Sequence, residues 1–178
     1  MVRHGKIFRI FNILNRACIV NELKLIYSLF DQEVRHTLDL LASLEEKDWE
    51  IVSKPWDSFL FHKLAHNLSV ADIIRHIAIL EQYIVDSIGT HENGATLSLE
   101  GDEKLCEKIR KKKDLVTCYK AVHEENLRKI VSFRKSDLGK KLTFIGQQYT
   151  GIGLLWMLTG HHAFHLGQLR SMTFPRIN

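Results

Sequence analysis

Apolar residues recur at helical spacing along most of the chain. Ile26, Leu29, Phe30, Val34, Leu38, Leu41 and Leu44 make one stripe, with no proline or glycine between Lys6 and Lys54. The spacing predicts a long helix over roughly residues 21–47, either adjoining or continuous with an N-terminal one. Residues 48–68, with Pro55-Trp56-Asp57-Ser58 inside them, break the pattern and predict a loop. Ser69-Val70-Ala71-Asp72 then has the form of a capping box, a hydroxyl followed three residues later by a carboxylate. It opens a helix bearing Ile73, Ile74, Ile77, Leu80 and Ile84, expected to end near Gly89, with a linker over 90–101. A third helix fits roughly 102–133, its buried side drawn from Leu105, Ile109, Val116, Tyr119, Val122, Leu127 and Ile130. Residues 134–149 are irregular, with a short extended piece around Leu142-Thr143-Phe144. The last helix begins near Thr150 or Gly151 and stops before Pro175. There is no repeat, low-complexity tract or convincing strand pair. The expected fold is all-α, with residues 1–20 an amphipathic extension and 21–178 a four-helix bundle domain.

Composition narrows the function classes. At 178 residues the chain can bury a core as one domain, and its 45% hydrophobic and 26% charged residues are ordinary for a globular protein. The net charge of +4 is too small to imply a nucleic-acid partner unless it clusters. The sharpest cluster, Lys108 and Arg110 to Lys113, follows Asp102, Glu103 and Glu107, the charge order that suits a solvated helix and its dipole. Cys18, Cys106 and Cys118 are odd in number and lack CxxC spacing, which favours a reducing cytoplasm over a disulfide framework. No apolar run is long enough to span a bilayer, so no membrane insertion is expected. The N-terminal segment alternates Arg3, Lys6 and Arg9 with Ile7, Phe8, Ile10, Phe11, Ile13 and Leu14. That pattern fits a helix packed on the domain or a partner subunit better than a signal peptide or membrane anchor.

Three histidines carry the candidate chemistry. His161 and His165 stand four apart, slightly more than one turn, on a face otherwise lined by Leu154, Leu158, Leu169 and Met172. His76 lies on the inner stripe of the second helix, between Ile73 and Leu80. Two imidazoles one turn apart, with a third from a facing helix, can make a three-nitrogen, open-sided metal site of a kind that suits zinc or nickel, the alternative for each being a core histidine hydrogen-bonded to a neighbour. His62 and His66 share the spacing but fall in the irregular stretch before Ser69 and are set aside. The HExxH pattern of zinc proteases is not met, because His162 stands where the general-base glutamate belongs. His162 projects about 100° from His161 and is expected to support the site or an interface. Glu81 and Tyr83, one to two turns beyond His76, and Gln168, one turn beyond His165, are further supporting candidates. No residue identifies itself as a general base.

Gly160-His161-His162-Ala163-Phe164-His165-Leu166-Gly167-Gln168-Leu169 resembles the signature helix of the DinB/YfiT-like superfamily, whose usual form is HxxxHRGQL. Ser69 to Ile77 resembles the family's second helix with its first histidine, and the match spans roughly residues 22–173. The resemblance implies an up-down-down-up four-helix bundle, commonly a homodimer, with a divalent metal on His76, His161 and His165. Leu166 replaces the usual arginine, which leaves the ligands intact but alters a surface or an ion pair nearby. Gly167, inside a helix, points to close helix approach.

The resemblance also implies chemistry. Family members include thiol-dependent S-transferases and isomerases that use a low-molecular-weight thiol such as bacillithiol or mycothiol, and others with hydrolase-like assignments. The expected function is thus a metal-dependent transferase or hydrolase acting on a small electrophilic substrate. The competing class is a non-enzymatic interaction or stress-associated protein that uses the bundle as a scaffold. No nucleic-acid partner is expected.

Overall fold

Four long helices carry the fold: α1 (His4–Ala42), α2 (Val70–Thr90), α3 (Lys112–Ser132) and, after the single-turn α4 (Lys135–Leu138), α5 (Gly151–Thr173). The computed structural model describes residues 4–52, 68–98 and 112–174, and the side chains of 4–20 and 112–114 fall outside that description. Side-chain pairings fix the helix directions. Glu22 of α1 accepts from Trp156 of α5, and Phe30 packs on His162, so these two helices run parallel. Glu81 of α2 meets His123 and Asn126 of α3 while Asp86 meets Lys129, so these run parallel as well. Asp31 faces His123 and Thr37 lies beside Tyr119, which sets α1 against α3. The order is therefore up-down-down-up.

α1, α2 and α5 bury the faces their patterns predict where side chains are described. On α3, Tyr119, Leu127 and Ile130 are buried, Val116 and Val122 are half-buried, and the expected Leu105 and Ile109 lie outside the described residues. Ile26, Phe30, Val34 and Leu41 of α1 are buried, and Leu29, Leu38 and Leu44 are half-buried around them. From α2, Ile73, Ile74, Ile77, Ile84 and Ile88 are fully enclosed, each contributing about 1.5–3 kcal/mol. The capping box forms: Ser69 Oγ accepts from Asp72 N at 3.1 Å, and the Asp72 carboxylate accepts from Ser69 N at 3.2 Å. The N-terminal segment continues α1 without a break rather than forming a separate helix. That helix ends at Ala42, short of residue 47, and a 3-10 turn (Glu46–Glu50) follows.

A small sheet corrects the expectation of no strand pair. β2 (Lys141–Phe144) pairs antiparallel with β3 (Gln147–Thr150), and β1 (Thr96–Leu97) adds to β2 in parallel. The turn is Ile145-Gly146, both at positive φ, 48° and 72°. An isoleucine is disfavoured there. Without the usual Asn-Gly or Asp-Gly, and with β3 exposed at nearly every position, the hairpin leaves a weak trace in the sequence. β3 leads directly into α5, whose N-cap Thr150 accepts from Gly153 N at 3.1 Å. Gly151 sits against the backbone of α4, where a Cβ would overlap the Asp137 carbonyl oxygen. His62, His66, Cys106 and the basic residues 108–111 lie outside the described residues. No described helix is long and apolar enough to cross a membrane.

Candidate metal centre

α2 and α5 run antiparallel and bring His76 against His161 and His165. The Nε2 atoms converge: His76 and His161 are 3.1 Å apart, as are His161 and His165. One ring nitrogen from each lies within 4.8 Å of the other two, the one such group of three among the described residues. His161 and His165 are buried in the bundle, and His76 is half-buried, the most exposed of the three. The rings meet edge to face, with centroids 4.4–5.2 Å apart. Phe164 packs against His165 from the outside, at 5.0 Å.

Protonation favours ligation. Burial lowers His165 to about 4, with the charge of His76 adding to the effect. His161 falls to about 2, through burial and then through repulsion from His165 and His76. Burial lowers His76 too. All three are neutral imidazoles near pH 7, the form a metal takes. His165 Nδ1 donates to Gln168 Oε1 at 2.8 Å, which leaves the Nε2 lone pair facing the cluster.

The convergence tests the fit of a cation. His161 Nε2 touches two imidazole nitrogens but carries at most one proton, so hydrogen bonding alone does not satisfy both contacts. Two nitrogens 3.1 Å apart, each about 2.0–2.1 Å from a shared point, subtend about 95–100° there, within the range of first-row metal centres. The three histidines fit a divalent ion.

No protein-family profile matches the chain, and no curated protein matches it in sequence. Two solved structures match in three dimensions. A DinB-like protein of Bacillus subtilis (YjoA) superposes with a TM-score of 0.57 at 18% identity, over 83% of this chain and 87% of that one. The mycothiol-dependent maleylpyruvate isomerase superposes with a TM-score of 0.63 at 15% identity, over 88% of this chain and 64% of that one. The fold is DinB/YfiT-like.

Within this DinB-like bundle the remaining candidates go to different places. Gln168 sits on His165. Glu81 and His162 do not face the three histidines; both are fully buried in a second cluster with Tyr119, His123 and Asn126. Tyr83 packs half-buried against the apolar core. Leu166 is buried, so the position held by arginine in the usual motif points inward here. The expected close approach at Gly167 is not seen, since a Cβ there meets nothing within 4 Å among the described residues. His123 and Asn126 were not legible as core residues. Their helical spacing with Tyr119 and Ile130 is the one signal that places them on an inner face.

Proposed function

We propose that the protein is a metal-dependent enzyme in which His76, His161 and His165 hold one divalent ion, zinc or nickel, and that it acts on a small electrophilic molecule with a low-molecular-weight thiol as co-substrate. The observation that carries this reading is the meeting of three neutral imidazole nitrogens at one point. The mycothiol dependence of a protein with the same fold supports the choice of a thiol. Transfer of that thiol to an electrophilic carbon is the favoured reaction, with hydrolysis the alternative.

The chain's own residues prepare the site. The buried wall of α5 keeps His161 and His165 neutral, so no proton has to leave before an ion enters. Gln168 accepts the Nδ1 proton of His165 and holds the ring with Nε2 facing inward. His76, the member nearest solvent, marks the side from which substrate approaches. When bound, zinc or nickel lowers the pKa of a coordinated thiol or water, so that the nucleophile is available near neutral pH.

Elemental analysis of tag-free protein, dialysed and refilled, tests the site. About one ion per chain is expected in the wild type, with loss in His76→Ala, His161→Ala and His165→Ala and retention in His62→Ala and His66→Ala. Equal metal in all five variants removes the site. Metal absent from the folded wild type leaves the scaffold reading in its place. Metal-loaded protein that never consumes a thiol in the presence of electrophiles, yet hydrolyses esters or amides, decides for the hydrolase.

A further inference from the structure

A second polar cluster lies in the bundle core beside the three histidines. Glu81 is 0% exposed, and its Oε1 accepts from His123 Nδ1 at 3.0 Å and from Asn126 Nδ2 at 3.1 Å. Its Oε2 lies 3.4 Å from His162 Nε2. Tyr119 Oη shares a hydrogen bond with His162 Nδ1 at 3.2 Å, and His123 Nε2 faces Asp31 Oδ1 at 3.5 Å. Phe30 fills the space between, its ring edge-on to both His123 and His162. Each long helix contributes: Asp31 from α1, Glu81 from α2, Tyr119, His123 and Asn126 from α3, His162 from α5.

This cluster is a poor source of stability. A buried carboxylate is costly to desolvate, and apolar residues of similar volume commonly hold helices together at least as well. Glu81 Oε2, His123 Nε2, His162 Nε2 and Asn126 Oδ1 also fall short of a full hydrogen bond among the described residues. What polar contacts add is register. Rows of Ile and Leu on facing helices can slide or rotate with little change in buried area, whereas a hydrogen-bonded pair holds one axial position and one rotation.

Register is what the histidine site needs. Its nitrogens come from two helices and must meet within about half an ångström of a productive geometry. Glu81 follows His76 on α2 by about 7.5 Å along the axis and about 140° around it. His162 is the neighbour of His161 on α5. The Glu81–His162 approach is therefore a second point of contact, at a different azimuth, between the same two helices. We propose that Glu81, held by His123 and Asn126 and facing His162, is a positioning residue that sets the register of α5 on α2 and so brings His161 and His165 to His76. This rests on the three-histidine reading of the site.

The test separates metal affinity from fold stability. Zinc affinity is measured by competition with a chromophoric chelator, ligand geometry by the visible spectrum of the cobalt-loaded protein, and stability by thermal melting of the metal-free form. The variants are Glu81→Met/His162→Leu, Glu81→Gln, and Leu142→Ala as a core control in β2. The double variant leaves His123, Asn126 and Tyr119 without these partners and is expected to melt lower, as Leu142→Ala does. Unlike that control, it is expected to bind zinc about 10–100-fold more weakly, with an altered cobalt spectrum. Glu81→Gln loses less affinity, and Leu142→Ala melts lower with its affinity and spectrum kept. Wild-type affinity and spectrum in a folded double variant overturn the proposal. So does an affinity loss in Leu142→Ala equal to that of Glu81→Gln. If the double variant does not fold, Glu81→Gln decides alone, and an unchanged affinity refutes the role. A wild type without metal, or metal kept by His76→Ala, removes the site itself, and that result is read before any of these variants is made.

Discussion

Acid should destabilise the metal-free protein across a narrow pH range, because the bundle buries imidazoles that the unfolded chain leaves free to protonate. Burial first, and mutual repulsion second, hold His165 at about 4 and His161 at about 2, against an ordinary 6.5. Below about 6.5 the unfolded chain takes up protons at these positions while the folded chain does not. Their contribution is therefore complete above 6.5 and is lost as pH falls, down to about 4 for His165 and about 2 for His161. Each withheld proton is worth about 1.4 kcal/mol per pH unit. At pH 5, about 1.5 units below the ordinary value, the two histidines together cost about 4 kcal/mol. That is a large part of the roughly 5–15 kcal/mol that stabilises a domain, and corresponds to about 10 °C in Tm. Carboxylates held low, such as Asp72 and Asp137, begin to matter only at more acid pH. The assay is urea unfolding of chelator-treated protein from about pH 7.5 to 5, beside His161→Gln. The wild type should lose at least about 3 kcal/mol per pH unit near the bottom of this range, with His162 and His76, which burial also lowers, adding to the loss. The variant should lose about 1.4 kcal/mol per pH unit less. A midpoint independent of pH, or equal slopes in both proteins, refutes the argument that these imidazoles are held neutral by the fold.

Two further substitutions probe how the site is held. Gln168→Leu removes the acceptor of the His165 Nδ1 proton and should weaken zinc binding about 10–100-fold by chelator competition while the helix content stays unchanged. Gly151→Ala places a methyl group on the Asp137 carbonyl and should cost about 1–3 kcal/mol in urea unfolding; a neutral result would show that the start of α5 has room to shift.

The helices were legible because their signals are local. The stripe from Ile26 to Leu41 and the Ser69–Asp72 box repeat or close within a few residues, and both appear as read. The hairpin was not legible, since its strands are four residues each and its Ile-Gly turn lacks the usual residues. The close approach expected at Gly167 is not found among the described residues for a different reason: glycine in a helix records that something is needed, and does not say where its partner lies. The histidine pair on α5 could be read from spacing, and His76 from its stripe. Glu81 and His162 were picked out as supporters of that site, and the structure places them beside it in a cluster shared with α3, away from direct contact with the three Nε2 atoms.

By itself the sequence determined the helical content, the faces each helix buries and the imidazoles able to reach the interior, because a period of 3.6 residues assigns every side chain to a face. Only the tertiary structure decided which faces meet. It put Nε2 of His76 3.1 Å from that of His161, and Glu81 among His123, Asn126 and His162. Those distances depend on how far each helix is rotated and shifted along its neighbour. That choice is made by contacts between residues dozens of positions apart, and no local pattern encodes it.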